Sequence, residues 1–145
     1  VSVQDAAAQM AAPLLLEGLD LRQPLRVLDA CAAPGGKTAH MLEWAGPQSG
    51  LMVTALDVDP QRCERIRETL ARLQLTAQVL EQDAGRPQDW WRQHCDGEPF
   101  DAILLDAPCT ASGIVRRHPD VRWLRRESDI AQLAATQAHL LAALW

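Results

Sequence analysis

The chain is short of positive charge. Fourteen Lys and Arg stand against 19 Asp and Glu in 145 residues, a net charge of −5, so the average surface repels nucleic acid. No apolar run approaches the roughly 20 residues that span a bilayer, and no basic-then-apolar leader opens the chain, so no membrane partner is expected. Cysteine is sparse: Cys31, Cys63, Cys95 and Cys109 form no C-x-x-C pair and no Cys/His box of zinc spacing. A structural metal is therefore not expected; reduced thiols and a cytoplasmic location are. Internal repeats, low-complexity stretches and linkers are also absent. With 48% apolar and 23% charged residues, disorder and collagen-like repeats are excluded, and the length suits one globular domain over residues 1–145. The chain starts at Val1 and stops at Trp145 inside a helix-period segment, so a truncated piece of a longer polypeptide is expected.

What is present is an alternation of strand-length apolar runs with helix-period segments, the pattern of β-α-β units and a parallel sheet. Gln4 to Leu16 reads as a covering helix. Arg26 to Leu28 leads a first strand into Asp29, and Pro34-Gly35-Gly36 turns the chain into a helix from about Lys37 to Trp44. Leu51 to Leu56 is a second strand ending at Asp57. Asp59-Pro60 opens a helix with Asp as N-cap and Pro at its first position, and Cys63, Ile66, Leu70 and Leu73 lie on its buried face. Ala77 to Leu80 is a third strand before Asp83, and Trp90-Trp91 belongs to a short helix as core or interface. Phe100 to Leu105 reads as the cleanest buried strand and ends at Asp106. Asp129 to Trp145 is a final helix with Ile130, Leu133, Ala134, Ala138, Leu141 and Trp145 as the inward stripe. The expected class is α/β, half of a doubly wound sheet.

In such sheets ligands bind beyond the carboxyl ends of the strands. Asp29, Asp57, Asp83 and Asp106 all stand there. One aspartate after a strand is ordinarily a turn or cap residue; four in succession point to a ligand site rimmed by acids. Asp29-Ala30-Cys31-Ala32-Ala33-Pro34-Gly35-Gly36-Lys37-Thr38 supplies two glycines, where backbone can approach a ligand, and then the free N–H groups of a helix start. It is neither G-x-G-x-x-G nor a P-loop, whose glycine five positions before the Gly-Lys pair is here Cys31; a nucleotide triphosphatase is disfavoured. Asp57 is placed to accept from a ribose diol and Asp83 to meet an adenine amino group. In Asp106-Ala107-Pro108-Cys109, proline fixes the turn and holds the thiol at a strand end. Arg116, Arg117 and His118, near in sequence, could favour its thiolate. Cys63 and Cys95 read as generic buried cysteines, and His40, His94 and His139 as ordinary helix residues.

Positive charge is concentrated: Arg116, Arg117, Arg122, Arg125 and Arg126 accompany one acid, Asp120, a net +4 within eleven residues. Charge runs are commonly solvated faces. Trp123 among these arginines suits phosphate contact combined with base stacking, so RNA contact is expected here.

The loop Asp29 to Thr38, Asp106 to Cys109, the stretch Gly113 to Arg126 and the opening Val3-Gln4-Asp5 together resemble the RsmB/Sun/Fmu-type small-subunit ribosomal RNA cytosine 5-methyltransferases of the NOL1/NOP2/Sun family. The resemblance runs through essentially the whole chain. It implies a Rossmann-like S-adenosylmethionine-dependent methyltransferase fold whose carboxyl-terminal strands are missing here, and ribosomal RNA as the partner. By resemblance, Cys31, Ala32, Ala33, Pro34, Gly35, Gly36 and Lys37 wrap the methionine part of S-adenosyl-L-methionine, Asp57 binds the ribose and Asp83 the adenine side. Asp106 stands beside the methyl group and target base, and Cys109 is the cysteine of the family's Pro-Cys motif. The chemistry requires a thiolate because carbon 5 of cytosine is a poor nucleophile: addition at carbon 6 makes an enamine, carbon 5 takes the methyl group, a base removes its proton and the thiol leaves. In the family the attacking cysteine usually lies in a Thr-Cys-Ser motif on the next strand, while the Pro-Cys thiol assists release. This sequence has no Thr-Cys-Ser, and the strand that would carry it is expected just beyond Trp145. The main rival is a non-catalytic nucleoside-binding or RNA-interaction module. A Rossmann dehydrogenase is a third reading, opposed by the absent G-x-G-x-x-G.

Overall fold

The computed structural model describes residues 3–145. A 3-10 turn, Ala8–Met10, runs into helix α1, Ala11–Leu16. Strand β1, Leu25–Ala30, follows, then α2, Gly36–Ala45; β2, Leu51–Asp57; α3, Pro60–Leu73; and β3, Gln78–Glu81. Helix α4, Pro87–Cys95, leads to β4, Ala102–Leu105; after a second 3-10 turn at Ser112–Ile114 come α5, Val121–Leu124, and α6, Glu127–Leu144. The four strands form one sheet in the order β3-β2-β1-β4, with every pairing parallel. Val27 of β1 sits level with Val53 of β2 on one side and Ala102 of β4 on the other.

Alternation along the strands sends side chains to two layers. Val27 and Val53 pack with Leu16 and Met41. Leu28 and Leu56 pack on the other side with Trp90 and Leu140. Each such side chain contributes roughly 1.5–3 kcal/mol by leaving water. Since α2 and α3 carry the chain one way across the sheet and α4 carries it back beyond β1, the strand order reverses between β1 and β4. Their carboxyl ends therefore open a crevice.

Several expected elements hold. Asp59 caps α3 by accepting from the N–H groups of Gln61 and Arg62 at 2.8 and 3.2 Å. Trp90 and Trp91 are anchored in α4, their indole N–H groups donating to the carbonyls of Asp83 and Glu98 at 2.9 and 2.8 Å. Three expectations are corrected. The helix expected from Gln4 begins only at Ala11, because Pro13 lacks an N–H and fits only a first turn. Strand β4 is half-buried rather than the cleanest buried strand, since one of its edges has no neighbour among the described residues. In α6 the apolar residues occupy more than one face, so periodicity permits two rotations. Leu140 is buried and Leu133 and Leu144 half-buried, whereas Ile130, Ala134, Ala138, Leu141 and Trp145 face outward.

Candidate functional site

The crevice holds a cavity of about 380 Å3, within the ~300–1,000 Å3 range of small-molecule sites. Asp29, Cys31, Ala32, Ala33, Pro34, Gly36 and Lys37 line it from the β1 side and Asp106 from the end of β4. Two strings almost 70 residues apart in the chain are thus brought to one place, and an ion pair joins them: Lys37 Nζ lies 2.7 Å from Asp106 Oδ2. Lys37 is the only lysine of the chain.

Asp29 forms the floor. Its side chain is fully buried, and Thr38 Oγ1 donates to Oδ2 at 2.5 Å. Burial pushes its carboxyl up to about 6, opposed by the Thr38 bond and the Lys37 charge and reinforced by the charge of Asp106. Cys31, with φ +63°, is half-buried; desolvation, with the nearby Asp57 carboxylate, raises its thiol to about 11. Cys31 thus lines the cavity as a thiol whose charged form is disfavoured. Gly35 adopts φ +92°, and a Cβ there would stand 3.2 Å from Ile66, so glycine lets the loop lie against α3.

Three of the expected cofactor residues stand outside the lining. Gly35 faces Ile66. Asp57 is 3% exposed beneath the loop, its Oδ2 accepting from Ala33 N–H at 3.3 Å and lying 3.5 Å from Arg62 Nη2. Asp83 turns back on its own loop, accepting from Gly85 N–H at 2.8 Å, with Arg86 at 3.7 Å.

Cys109 is exposed, and its sulfur accepts from Ala111 N–H at 3.3 Å. No hydrogen bond joins it to Arg116, Arg117 or His118 among the described residues, so sequence nearness does not become hydrogen bonding. Arg117 instead pairs with Asp5, and both line the cavity. Arg122 Nε donates to Pro119 O and Arg125 Nε to Thr110 O, whereas Trp123 is 82% exposed.

The segment before α1 is the part of the site with no local signal for its role. Gln4 Nε2 donates to Gly36 O at 2.5 Å, and Val3, Gln4, Asp5 and Ala8 complete the cavity wall. Thr69 Oγ1 donates to Pro34 O at 2.9 Å from α3. Two buried acceptors of lining residues, Asp29 Oδ1 and Gln4 Oε1, have no donor among the described residues. Unsatisfied buried acceptors, carboxylates and a lysine together suit a zwitterionic or cationic ligand bearing N–H donors and a carboxylate. Among the described residues no cluster of His, Cys, Asp and Glu could hold a metal ion, and no helix is long and apolar enough to cross a membrane.

A larger groove, about 710 Å3, runs between Trp90, Trp91, Phe100, Ile103, Leu105 and the end of α6. Its walls are mostly apolar side chains. The smaller cavity has the charged groups and the unpaired acceptors, and these decide the assignment over size.

A model of the 16S rRNA methyltransferase RsmB/F family matches residues 17–145. Ribosomal RNA small subunit methyltransferase B of Vibrio cholerae is 56% identical over the whole chain, and that of Serratia proteamaculans 52% identical; the chain spans 31% of the length of each. Among solved structures, NSun6 from Pyrococcus horikoshii with SFG matches with a TM-score of 0.77 at 27% identity, covering 97% of this chain and 33% of that one.

Proposed function

The chain belongs to the 16S rRNA methyltransferase RsmB/F family, and from that premise we propose that it forms the S-adenosylmethionine-binding core of an enzyme that methylates carbon 5 of a cytosine in small-subunit ribosomal RNA. The observation that carries the reading is the convergence of the Asp29–Thr38 loop and Asp106 on one cavity at the strand-order reversal. When bound, S-adenosylmethionine supplies a methyl group on a sulfonium centre.

The chain's own residues divide the remaining work. The unpaired acceptors of Asp29 and Gln4 suit an ammonium group, and Lys37 with the α2 N-terminus suits a carboxylate, so the methionine end belongs in this cavity. Asp57 and Asp83 serve the ribose and adenine ends beyond it. Asp106, held by Lys37, presents a carboxylate where the target base would meet the methyl group. Cys109, on the same loop, assists product release. The exposed Trp123 and the surrounding arginines Arg116, Arg117, Arg122, Arg125 and Arg126 supply the RNA surface through stacking and phosphate contact. This function places the protein in the cytoplasm with the ribosomal RNA.

Titration calorimetry tests the reading. S-adenosylhomocysteine is expected to give measurable heat, NAD and ATP none, and Asp57→Ala to weaken binding about tenfold, the loss of roughly 1.4 kcal/mol that removal of a charged hydrogen bond brings. Heat with NAD or ATP but not with S-adenosylhomocysteine would overturn it.

A further inference from the structure

Cys109 stands in an irregular stretch, Ala107–Ala111, in which it and Pro108 are exposed, where a loop would ordinarily leave a thiol free to wander. Its two neighbours are both held. Gln137 Nε2, from α6, donates to Pro108 O at 2.8 Å. Arg125 Nε, from the turn before α6, donates to Thr110 O at 2.6 Å. Proline fixes φ at 108, so anchoring its carbonyl orients the peptide plane that enters Cys109. Anchoring the Thr110 carbonyl orients the plane leading to Ala111, whose N–H points at the Cys109 sulfur at 3.3 Å. Gln137 sits on α6, which the buried Leu140 fastens to the sheet, and Arg125 lies two residues before that helix begins.

We infer that Arg125 and Gln137 are positioning residues for Cys109, holding the backbone on both sides of the thiol and tying its location to α6. Arg125 thereby has a task inside the protein distinct from phosphate contact, and the half-buried Gln137 has a reason to be polar. What the positioned thiol does rests on the function proposed above; that it is positioned does not.

Backbone relaxation on the 145-residue chain tests this directly. In the parent chain the Cys109 and Thr110 amides are expected to show order parameters of about 0.85, like the strands, and in Gln137→Ala or Arg125→Ala to fall below about 0.6. The β4 and α6 amides should stay unchanged in both variants. Gln137→Glu, which has no donor for a carbonyl, should behave as the alanine variant; Arg125→Lys, which keeps one, should restore most of the order. Arg126→Ala, whose side chain takes no part in these anchors, should leave it unchanged. Equal order at Cys109 in parent and variants, whether high or low, overturns the inference. If S-adenosylhomocysteine fails to bind while Cys109 loses order as described, the function fails and the positioning stands.

Discussion

The two loops that meet at the cavity differ in what holds the backbone nearest to it. The loop after β1 is closed first by backbone: Gly35 N–H donates to Ala32 O at 2.8 Å, Ala39 N–H to Gly35 O at 2.9 Å and Ala32 N–H to Leu56 O of the neighbouring strand at 2.9 Å, with Gln4 and Thr69 adding side-chain bonds to it. In the loop after β4 the stretch around Cys109 is held by side chains from elsewhere, Gln137 and Arg125, and backbone bonds of its own, such as Ile114 N–H to Ala111 O at 3.1 Å, begin only after it; Arg117 further on pairs with Asp5. A loop closed by its own backbone has its shape before any ligand arrives, which lowers the ordering cost of binding. A loop held by remote side chains can be released one bond at a time. The first arrangement suits a small cofactor of constant shape, the second a large polyanion that must be admitted and let go.

The largest effect that would sharpen this contrast comes from Asp29 at the floor of the first loop. A carboxyl raised to about 6 by burial keeps its proton in the folded chain after the unfolded chain has lost it. Stability therefore falls as pH rises from about 4 to 6 and is flat above. The span, roughly 2 units at 1.36 kcal/mol each, is about 3 kcal/mol. Urea unfolding between pH 4 and 7.5 should show this decline, and Asp29→Asn should remove most of it; an unchanged slope in the variant would mean that the buried charge lies elsewhere. Next in size, Gly35→Ala places a side chain at φ +92° and 3.2 Å from Ile66, at a cost of about 2 kcal/mol in unfolding free energy. A loss below about 0.5 kcal/mol would show that the loop relaxes and is not preformed.

The smallest effect concerns the second loop. Asp5 and Arg117 are both exposed, so Asp5→Asn should leave the melting temperature unchanged. It should nevertheless free Arg117. Anisotropy titrations with single-stranded RNA should then show a salt slope steeper by about 0.7, one additional phosphate contact. An unaltered slope would place Arg117 outside the RNA path.

How much of this could be read beforehand follows from the range of the forces involved. The α3 start was legible because Asp59 and Pro60 act on adjacent backbone groups. The loop after β1 was legible because glycine, proline and strand-end aspartate impose local geometry. The rotation of α6 was not, since Leu133, Leu140 and Leu144 compete with Ile130, Leu141 and Trp145 for the inward face and only the sheet decides between them. The thiol environment was misjudged for the same reason: Arg116, Arg117 and His118 are near Cys109 along the chain, while the side chains that hold its loop come from residues 125 and 137.

The amino-acid order alone determined the alternating elements, the four acids at strand ends and the clustering of arginine around Trp123, because these depend on propensity, period and spacing within a few residues. Only the tertiary structure decided that Asp29 and Asp106 face one cavity while Asp57 and Asp83 lie outside its lining, and that Gln4 and Asp5 close its wall. Those outcomes depend on which strands become neighbours and how helices settle on them, and packing across the whole sheet fixes that.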